Sequence, residues 1–327
     1  MPLDWTPFVE LVRRQERFVL MTHVRPDGDA LGSELALADA LRRLGKTVRV
    51  GIPSSLAPRY RFLDPQGARI EPFKPPGDDF RAADAVVIVD TGTWSQLGDF
   101  GPFLRTLEVP KVVIDHHQTQ DDLGALPLVD TAAEAAGRLV YEAIRAIGAP
   151  LSAEAADALF LAVATDTGWF RHPNTTSRTF ALAEELVQAG ANPTRLYDAL
   201  YEQSSLERLK LLGRALDRLQ TMAEGRVAWT EVYLADYPAT GAVPADTEDL
   251  INYPRGVAGV EIAVLFIEQP RGGVKVSFRS RAADVSAVAE QFGGGGHRLA
   301  AGATVPDALE SVRRRVLDAV SHALPLP

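Results

Sequence analysis

The chain has 327 residues, of which 46% are hydrophobic and 24% are charged, and its formal net charge at pH 7 is −9. This composition is typical of a globular protein, and the negative charge argues against a broad basic groove for long duplex DNA. The absence of cysteine excludes disulfide bonds and thiolate metal sites. The sequence shows no signal-peptide pattern and no apolar run of about 20 residues, so we expect a cytoplasmic protein that does not contact a membrane.

The first half of the chain alternates between strand-like and helix-like segments. Several strand-like segments are near-continuous runs of Val and Ile, which is typical of strands covered on both faces. The predicted strands are 17–23, 47–52, 85–91, 111–116 and, more weakly patterned, 126–130. The predicted helices are 30–45, 132–147, 152–165 and 176–189. This alternation predicts an α/β domain over residues 1–192 with a doubly wound parallel sheet, in which ligands bind beyond the carboxyl ends of the strands.

The second half of the chain has a different pattern. Residues 193–222 are helical and rich in polar side chains, which indicates a helical connector between two domains. We expect a second, smaller α/β domain over residues 223–327. Its predicted strands are 226–233, 260–269 and 273–281, and its predicted helices are 284–291 and 307–323.

Aspartate and histidine side chains gather at the ends of the predicted strands and of one predicted helix. They are His23, Asp27, Asp29, Asp90, Asp115, His116, His117 and Asp166. Taken alone, Asp27 and Asp29 are typical of a turn or a helix N-cap, and Asp90 before Thr-Gly is typical of an Asx turn. Taken together, these acids would meet at one edge of the sheet and repel one another unless cations neutralised them.

Two divalent metal ions about 3.5–4 Å apart would supply that neutralisation and would activate water for attack on phosphorus. The ligands on offer are carboxylates and imidazoles without sulfur, a set that suits Mn²⁺, with Mg²⁺ or Co²⁺ as substitutes. The sequence therefore predicts a two-metal site at this edge of the first domain.

A second cluster of polar residues lies near the C-terminus. A glycine run by itself is usually a flexible linker, but this run follows an amphipathic helix and precedes the apolar stretch LAAGATV. Its N–H groups and the neighbouring Arg and His side chains are donors suited to phosphate. The predicted substrate-binding residues are Arg279, Arg281, Gly294, Gly295, Gly296, His297 and Arg298.

These motifs, in this order, resemble those of the DHH phosphoesterase superfamily and its associated C-terminal domain, and the likeness covers residues 15–320. The resemblance implies two Mn²⁺ ions that share the Asp90 carboxylate, in an active-site cleft between the two domains. The ligands implied for one ion are His23, Asp27 and Asp90. The ligands implied for the other ion are Asp29, Asp90, His116 and Asp166.

The resemblance also implies catalytic roles for the two remaining residues of the DHH motif. Asp115 would orient an imidazole from behind, as metal-bound histidines generally require. His117 would face the substrate phosphate and protonate the leaving oxygen. Beyond Asp166, Trp169 or Phe170 would stack on a base or pack in the core, and Arg171 would meet a terminal phosphate.

Within the superfamily, the chain most resembles the bacterial bifunctional oligoribonucleases that also dephosphorylate 3′-phosphoadenosine 5′-phosphate. The resemblance implies a Mn²⁺-dependent phosphodiesterase and exonuclease that acts on very short RNA or DNA oligonucleotides and also as a nucleotide phosphatase. It makes a homodimer plausible. The alternatives are a stand-alone cyclic- or linear-dinucleotide phosphodiesterase, a RecJ-like single-strand exonuclease and a non-catalytic nucleotide sensor.

Overall fold

The computed structural model describes residues 3–324, which form two compact units. The first unit extends to Gln203 and the second begins at Ser204. This division differs from the predicted boundaries after residues 192 and 222, because the helices of the predicted connector are shared between the two units. Within residues 3–324, no helix is both long and apolar enough to span a membrane.

The first unit consists of a six-stranded sheet and the helices that cover it. Its strands are β1 (Arg17–Met21), β2 (Thr47–Ile52), β3 (Glu71–Pro72), β4 (Ala85–Val89), β5 (Lys111–Asp115) and β6 (Leu126–Val129). Its helices are α1 (Thr6–Arg14), α2 (Gly28–Arg43), α3 (Phe100–Arg105), α4 (Ala136–Ala146), α5 (Ala153–Asp166), α6 (Ser177–Gln188) and α7 (Pro193–Tyr201). A 3₁₀ segment, Pro58–Leu63, lies between β2 and β3.

The strand order of this sheet is β3-β2-β1-β4-β5-β6, and every neighbouring pair is parallel. The chain moves outward in one direction from β1 to β3 and in the other direction from β4 to β6. The crevice beyond β1 and β4 is therefore the topological switch point, where open α/β sheets bind their ligands. The predicted parallel α/β sheet is confirmed.

Alternate residues of the central strands enter two different cores. On β1, Phe18 and Leu20 pack with the helical layer, whereas Val19 and Met21 pack on the opposite face. All five residues of β4 are buried, so both faces of this strand are covered. This double coverage explains the near-continuous apolar runs of the sequence.

Helix α2 is the central helix of the helical layer, and 13 of its residues are buried. It begins where the Asp27 side chain accepts hydrogen bonds from the N–H groups of Asp29 and Ala30. At Gly32 a β-carbon would lie 2.3 Å from the Ala158 carbonyl oxygen of α5, so glycine permits the close approach of α2 and α5. This packing fixes the position of the α2 N-terminus beside the switch point.

The second unit contains a mixed sheet with helices on both faces. Its helices are α8 (Leu206–Asp217), α9 (Asp236–Thr240), α10 (Asn252–Arg255), α11 (Val285–Glu290) and α12 (Leu309–Ala323). Its strands are β7 (Gln220–Met222), β8 (Val227–Val232), β9 (Ile262–Glu268), β10 (Val274–Ser280), β11 (Gly295–His297) and β12 (Ala300–Val305). The strand order is β11-β12-β10-β9-β8-β7, and only β8 and β9 are parallel.

A buried ion pair joins α8 to α9 in the second unit. The Asp236 carboxylate, which is 1% exposed, accepts hydrogen bonds from Arg218 at 2.6 and 2.7 Å, from Arg214 at 3.2 Å and from the Tyr233 N–H at 2.8 Å. Burial alone would raise the pKa of Asp236, but Arg218 holds that pKa below its usual value. The pair therefore stabilises the folded state at neutral pH, and this contribution is lost as the pH falls through the lowered pKa.

We expect the substitution Asp236→Asn to reduce the free energy of unfolding by about 3 kcal/mol, because it leaves the Arg218 guanidinium without its counter-charge. Urea denaturation at pH 7 measures this loss, and the difference from wild type should shrink in acid. The control is Asp318→Asn, which changes an exposed carboxylate of α12. Equal stability of wild type and Asp236→Asn would contradict the assigned role.

Candidate metal centre

The topological switch point brings together side chains from four separate segments of the first unit. His23 follows β1, Asp90 follows β4 and His116 follows β5, while Asp166 is the last residue of α5. The Nε2 atom of His116 lies 3.4 Å from Asp90 Oδ1, 3.7 Å from Asp29 Oδ2 and 4.0 Å from Asp166 Oδ2. The predicted meeting of these residues at one edge of the sheet is thus present in the structure.

Asp90 lies at the middle of this group. Its Oδ2 is 3.4 Å from His23 Nε2, and its Oδ1 is 3.4 Å from His116 Nε2. The side chain is 3% exposed, yet Oδ1 has no hydrogen-bond partner. The backbone of Asp90 is left-handed, with φ of 62°, a conformation that costs energy for residues other than glycine and is enriched at functional sites. A buried carboxylate oxygen without a hydrogen-bond partner, held by a strained backbone, is suited to binding a cation.

Two histidines direct the same ring nitrogen at Asp90. The Nδ1 of His23 lies 3.0 Å from the Val24 carbonyl oxygen, and the Nδ1 of His116 lies 3.2 Å from the Ala133 carbonyl oxygen. A hydrogen bond from Nδ1–H to a carbonyl fixes the tautomer and leaves Nε2 with a lone pair for a metal ion.

Asp29 has a structural task as well as its place in the cluster. Its Oδ2 accepts a hydrogen bond from the Ala136 N–H at 2.7 Å, and its Oδ1 accepts one from the Gly137 N–H at 2.8 Å. These two amides begin α4, whose own N-cap residue is Ala135 and has no capping side chain. The Asp29 carboxylate thus replaces the missing cap and is 1% exposed. Asp27 caps α2 through Oδ1, as the N-cap explanation expects, whereas Asp29 caps the distant helix α4, which that local explanation did not include.

Three overlapping groups of side chains could each hold a metal ion, because their ligand atoms all lie within 4.8 Å of one another. The first group is His23, Asp27 and Asp90. The second group is Asp29, His116 and Asp166. The third group is Asp90, His116 and His117.

The spacing of the ligand atoms also fits a metal ion. Ligands about 2.1 Å from a metal ion are separated from one another by about 3.0–3.4 Å in octahedral or tetrahedral geometry. The separations from His116 Nε2 of 3.4, 3.7 and 4.0 Å lie at or slightly above these values. A divalent cation would satisfy Asp90 Oδ1 and cancel the clustered carboxylates, so the residues present fit such an ion.

The pKa values of the cluster express the same excess of negative charge. Burial, followed by the Asp90 carboxylate, raises the pKa of Asp29 well above its usual value. Burial is also the main cause that raises the pKa of Asp166 to about 6. Burial alone would lower the pKa of His23, but Asp90 raises that pKa to about 9. The site thus favours positive charge at the position where the carboxylates meet.

Asp115 and His117 form a second layer behind and beside the cluster. The Asp115 carboxylate is fully buried, and its Oδ1 lies 2.7 Å from His117 Nδ1. Its Oδ2 accepts a hydrogen bond from Gln120 Nε2 at 2.6 Å. The His117 side chain is 56% exposed, so its ring is held by Asp115 from one side and reaches solvent on the other. Asp115 therefore orients His117 rather than the more buried His116.

The segment after Asp166 turns sharply. Gly168, Trp169 and Phe170 are all left-handed, with φ of 57°, 59° and 64°. Trp169 and Phe170 are partly buried and pack against the helical core, which favours the core-packing alternative for these two rings. The Nε of Arg171 donates to the Gly168 carbonyl oxygen at 2.7 Å, and the residue is exposed. A role of Arg171 with phosphate stays a prediction.

The glycine run of the second unit forms a hairpin rather than a loose linker. Gly295–His297 forms β11 and pairs antiparallel with β12. At Gly294 a β-carbon would lie 2.1 Å from the Gly302 carbonyl oxygen, so this glycine is required by the close approach of the two strands. At Gly295, in contrast, a β-carbon would meet nothing within 4 Å. The open space beside Gly295 leaves room for a ligand, and an anion at this glycine stays a prediction.

The register of the second sheet brings two predicted substrate-binding residues to one face. His297 on β11 and Arg279 on β10 both pair with Ala300 of β12, so all three side chains lie in one row. The two outer strands of that row are about 9.6 Å apart. Arg281 and Arg298 are exposed, and their guanidinium groups donate to the carbonyl oxygens of Arg255 and Ala282.

Two residues that support the centre, Gln120 and Asn174, were not predicted from the sequence. Gln120 holds Asp115 but lies in a polar loop without a recognisable pattern. The Nδ2 of Asn174 donates to the Glu134 carbonyl oxygen at 3.1 Å and approaches Asp166 Oδ2 at 3.5 Å. Both act through a side-chain amide whose target lies between 5 and 40 residues away in the sequence, so periodicity and motif spacing do not reveal them.

Two segments of this chain each match a known protein family. Residues 17–163 match the DHH family, N-terminal domain, and residues 232–324 match the DHHA1 domain. The first match contains the segments that supply most of the metal centre and ends just before Asp166. The second match contains the β10 to β12 region.

Individual proteins and structures agree with these matches. The chain is 34% identical over 314 residues to a Thermus thermophilus protein named bifunctional oligoribonuclease and PAP phosphatase NrnA, covering 93% of this chain and 89% of the relative. The crystal structure of an exopolyphosphatase-related protein from Bacteroides fragilis superposes with a TM-score of 0.88 at 22% identity, covering 97% and 95% of the two chains. An exonuclease RecJ bound to manganese superposes with a TM-score of 0.55 at 18% identity, covering 100% and 96%.

Proposed function

The chain belongs to the DHH family, and we propose that it is a Mn²⁺-dependent phosphoesterase that degrades very short oligonucleotides and dephosphorylates 3′-phosphoadenosine 5′-phosphate. The observation that carries this proposal is the buried Asp90 carboxylate, which belongs to two of the three metal-capable groups and whose Oδ1 has no hydrogen-bond partner among the described residues. The name of the Thermus relative favours this activity over a dinucleotide phosphodiesterase, a RecJ-like exonuclease or a non-catalytic sensor.

The proposed ligands are His23, Asp27, Asp29, Asp90, His116 and Asp166. When bound, two divalent ions would neutralise the carboxylates and the phosphate oxygens and make water a stronger nucleophile. Mn²⁺ is proposed because the donors are imidazoles and carboxylates and because a RecJ exonuclease of the same fold binds manganese. Asp90, which faces the His23 and His116 imidazoles, would serve as a ligand for both ions.

His117 is proposed to give a proton to the leaving oxygen. Its hydrogen bond to Asp115 raises the pKa of His117, so a larger fraction of the imidazole is protonated near neutral pH. Asp115 holds Nδ1, which leaves Nε2–H on the exposed side of the ring as the donor. Arg279 and His297, which share one face of the second sheet, are proposed to bind a phosphate group of the substrate.

The product pattern from oligonucleotides of increasing length tests this proposal. Purified protein with Mn²⁺ should convert end-labelled RNA of two to five nucleotides into mononucleotides and should cleave longer strands far more slowly. The same protein should release phosphate from 3′-phosphoadenosine 5′-phosphate, and EDTA should stop both reactions. Turnover of cyclic dinucleotides alone would contradict the proposal. A homodimer and a cytoplasmic location stay predictions, and light scattering would test the former.

The substitution Gln120→Ala should lower kcat by about tenfold while KM and Mn²⁺ content stay unchanged, because it removes one hydrogen bond to a buried carboxylate. Gln120 acts only through Asp115 and His117, so the pH profile of kcat should shift as well. The matched control is Gln118→Ala, which changes an exposed glutamine two residues earlier in the same loop. A change in Mn²⁺ content without a change in the pH profile would contradict this positioning role.

A further inference from the structure

Three aromatic side chains of the first unit form a continuous cluster, here called the aromatic platform: Trp169, Tyr197 and Tyr201. Tyr197 and Tyr201 lie one turn apart on α7, with ring centroids separated by 5.0 Å. Both contact the Trp169 ring edge-to-face, at centroid distances of 5.1 and 5.5 Å. Such arrangements are favourable for aromatic pairs and hold the rings in defined orientations.

The two tyrosines of the platform are exposed although they are aromatic. Tyr197 is 38% exposed and Tyr201 is 47% exposed, whereas Trp169 is partly buried and packs on Phe160 at 6.1 Å. Trp169 thus packs between the two tyrosines and the helical core and anchors their rings. An anchored pair of exposed rings is the kind of surface on which a planar ligand stacks.

The backbone that supports the platform is strained. Trp169 lies in the left-handed segment that follows Asp166, and a large side chain rarely adopts that conformation. Its N–H donates to the Ala164 carbonyl oxygen, which ties the turn to the end of α5. The residue that anchors the platform therefore lies three residues along the chain from Asp166, a proposed metal ligand.

We propose that Tyr201 and Tyr197 stack on a nucleobase of the short oligonucleotide whose phosphodiester lies at the metal centre, an inference that rests on the proposed function. The observations that support it are the exposed ring pair, its anchoring by Trp169 and the position of Trp169 three residues after Asp166. Every base offers a flat face, so stacking here selects nucleotides over other phosphate esters without selecting a base.

Steady-state kinetics on a matched pair of dinucleotides tests this proposal. One substrate carries both bases, and the other has the same phosphodiester but no bases. Stacking contributes about 1–3 kcal/mol per base, so Tyr201→Leu should raise KM for the normal dinucleotide by about tenfold or more. It should leave KM for the base-free dinucleotide unchanged. Tyr201→Phe, which keeps the ring, should retain the wild-type KM for both.

The control variant is Phe180→Ala, which removes an exposed ring that stacks on Phe170 outside the platform. It should change neither KM. If Tyr201→Leu raises KM for both dinucleotides equally, or for neither, the stacking proposal is wrong while the phosphoesterase assignment stands. If the wild-type protein hydrolyses neither dinucleotide with Mn²⁺, the proposed function itself is wrong.

Discussion

The substitution Asp90→Asn should lower kcat/KM for short oligonucleotides by about 10⁴-fold or more. Asp90 faces His23 on one side and His116 on the other, so both proposed ions depend on it. Each loss of about 1.36 kcal/mol of transition-state stabilisation lowers the rate tenfold. Losing several kcal/mol of stabilisation by the metal ions therefore gives a decrease of this size. Asn is the suitable replacement because, like Asp, it tolerates the left-handed backbone at this position.

Metal content measured by equilibrium dialysis should fall in the Asp90→Asn protein, while its circular dichroism spectrum should match that of wild type. The matched control is Asp130→Asn. Asp130 also follows a strand of the same sheet, β6, but its carboxylate accepts the Ala132 N–H and belongs to none of the three metal-capable groups. Wild-type turnover by Asp90→Asn with full Mn²⁺ content would disprove the bridging role.

The substitution His117→Asn should lower kcat by about 10²- to 10³-fold on substrates whose leaving group is a nucleoside hydroxyl, because such a group needs a proton as the bond breaks. A p-nitrophenyl ester of the same nucleotide leaves without a proton, so its hydrolysis should be nearly unaffected. The protonated imidazole is the active form, so wild-type kcat should fall as the pH rises through the raised pKa of His117. That decrease should be absent from the variant.

Measuring both substrates with both proteins at several pH values separates proton donation from other effects. Metal content should be unchanged in His117→Asn, since the proposed ligands are intact. An equal loss on both leaving groups would contradict proton donation. In that case His117 would act on the phosphate oxygens or on the metal ions instead.

The strand-end acids were the part of the site that the sequence predicted best. Parallel strands of one sheet end at the same edge, so residues distant in sequence are forced together once the strand pattern is known. The switch point between β1 and β4 then explains why His23 and Asp90 are neighbours. The predicted elements of the first half agree with the structure to within a few residues, because their apolar patterns are strong.

The remaining features of the fold and of the site depend on contacts that local sequence patterns do not encode. The amides capped by Asp29 belong to Ala136 and Gly137, which carry no chemical signal, and the link spans 107 and 108 residues. The predicted connector is divided between the units because Leu196 of α7 belongs to the first core, whereas Leu211 of α8 belongs to the second. The β11–β12 hairpin was not predicted, because its first strand consists of glycines and a histidine.

The double task of Asp29 has a consequence for how this protein can change over evolutionary time. A lineage that no longer needed the activity could lose Asp166 at little cost to folding, since among the described residues its carboxylate caps no helix and accepts one long hydrogen bond, from Asn174 at 3.5 Å. Loss of Asp29 would also uncap α4 and destabilise the fold, so selection for folding would act against it. Among inactive descendants, the aspartate at position 29 should therefore be retained more often than the one at position 166, because folding alone requires it.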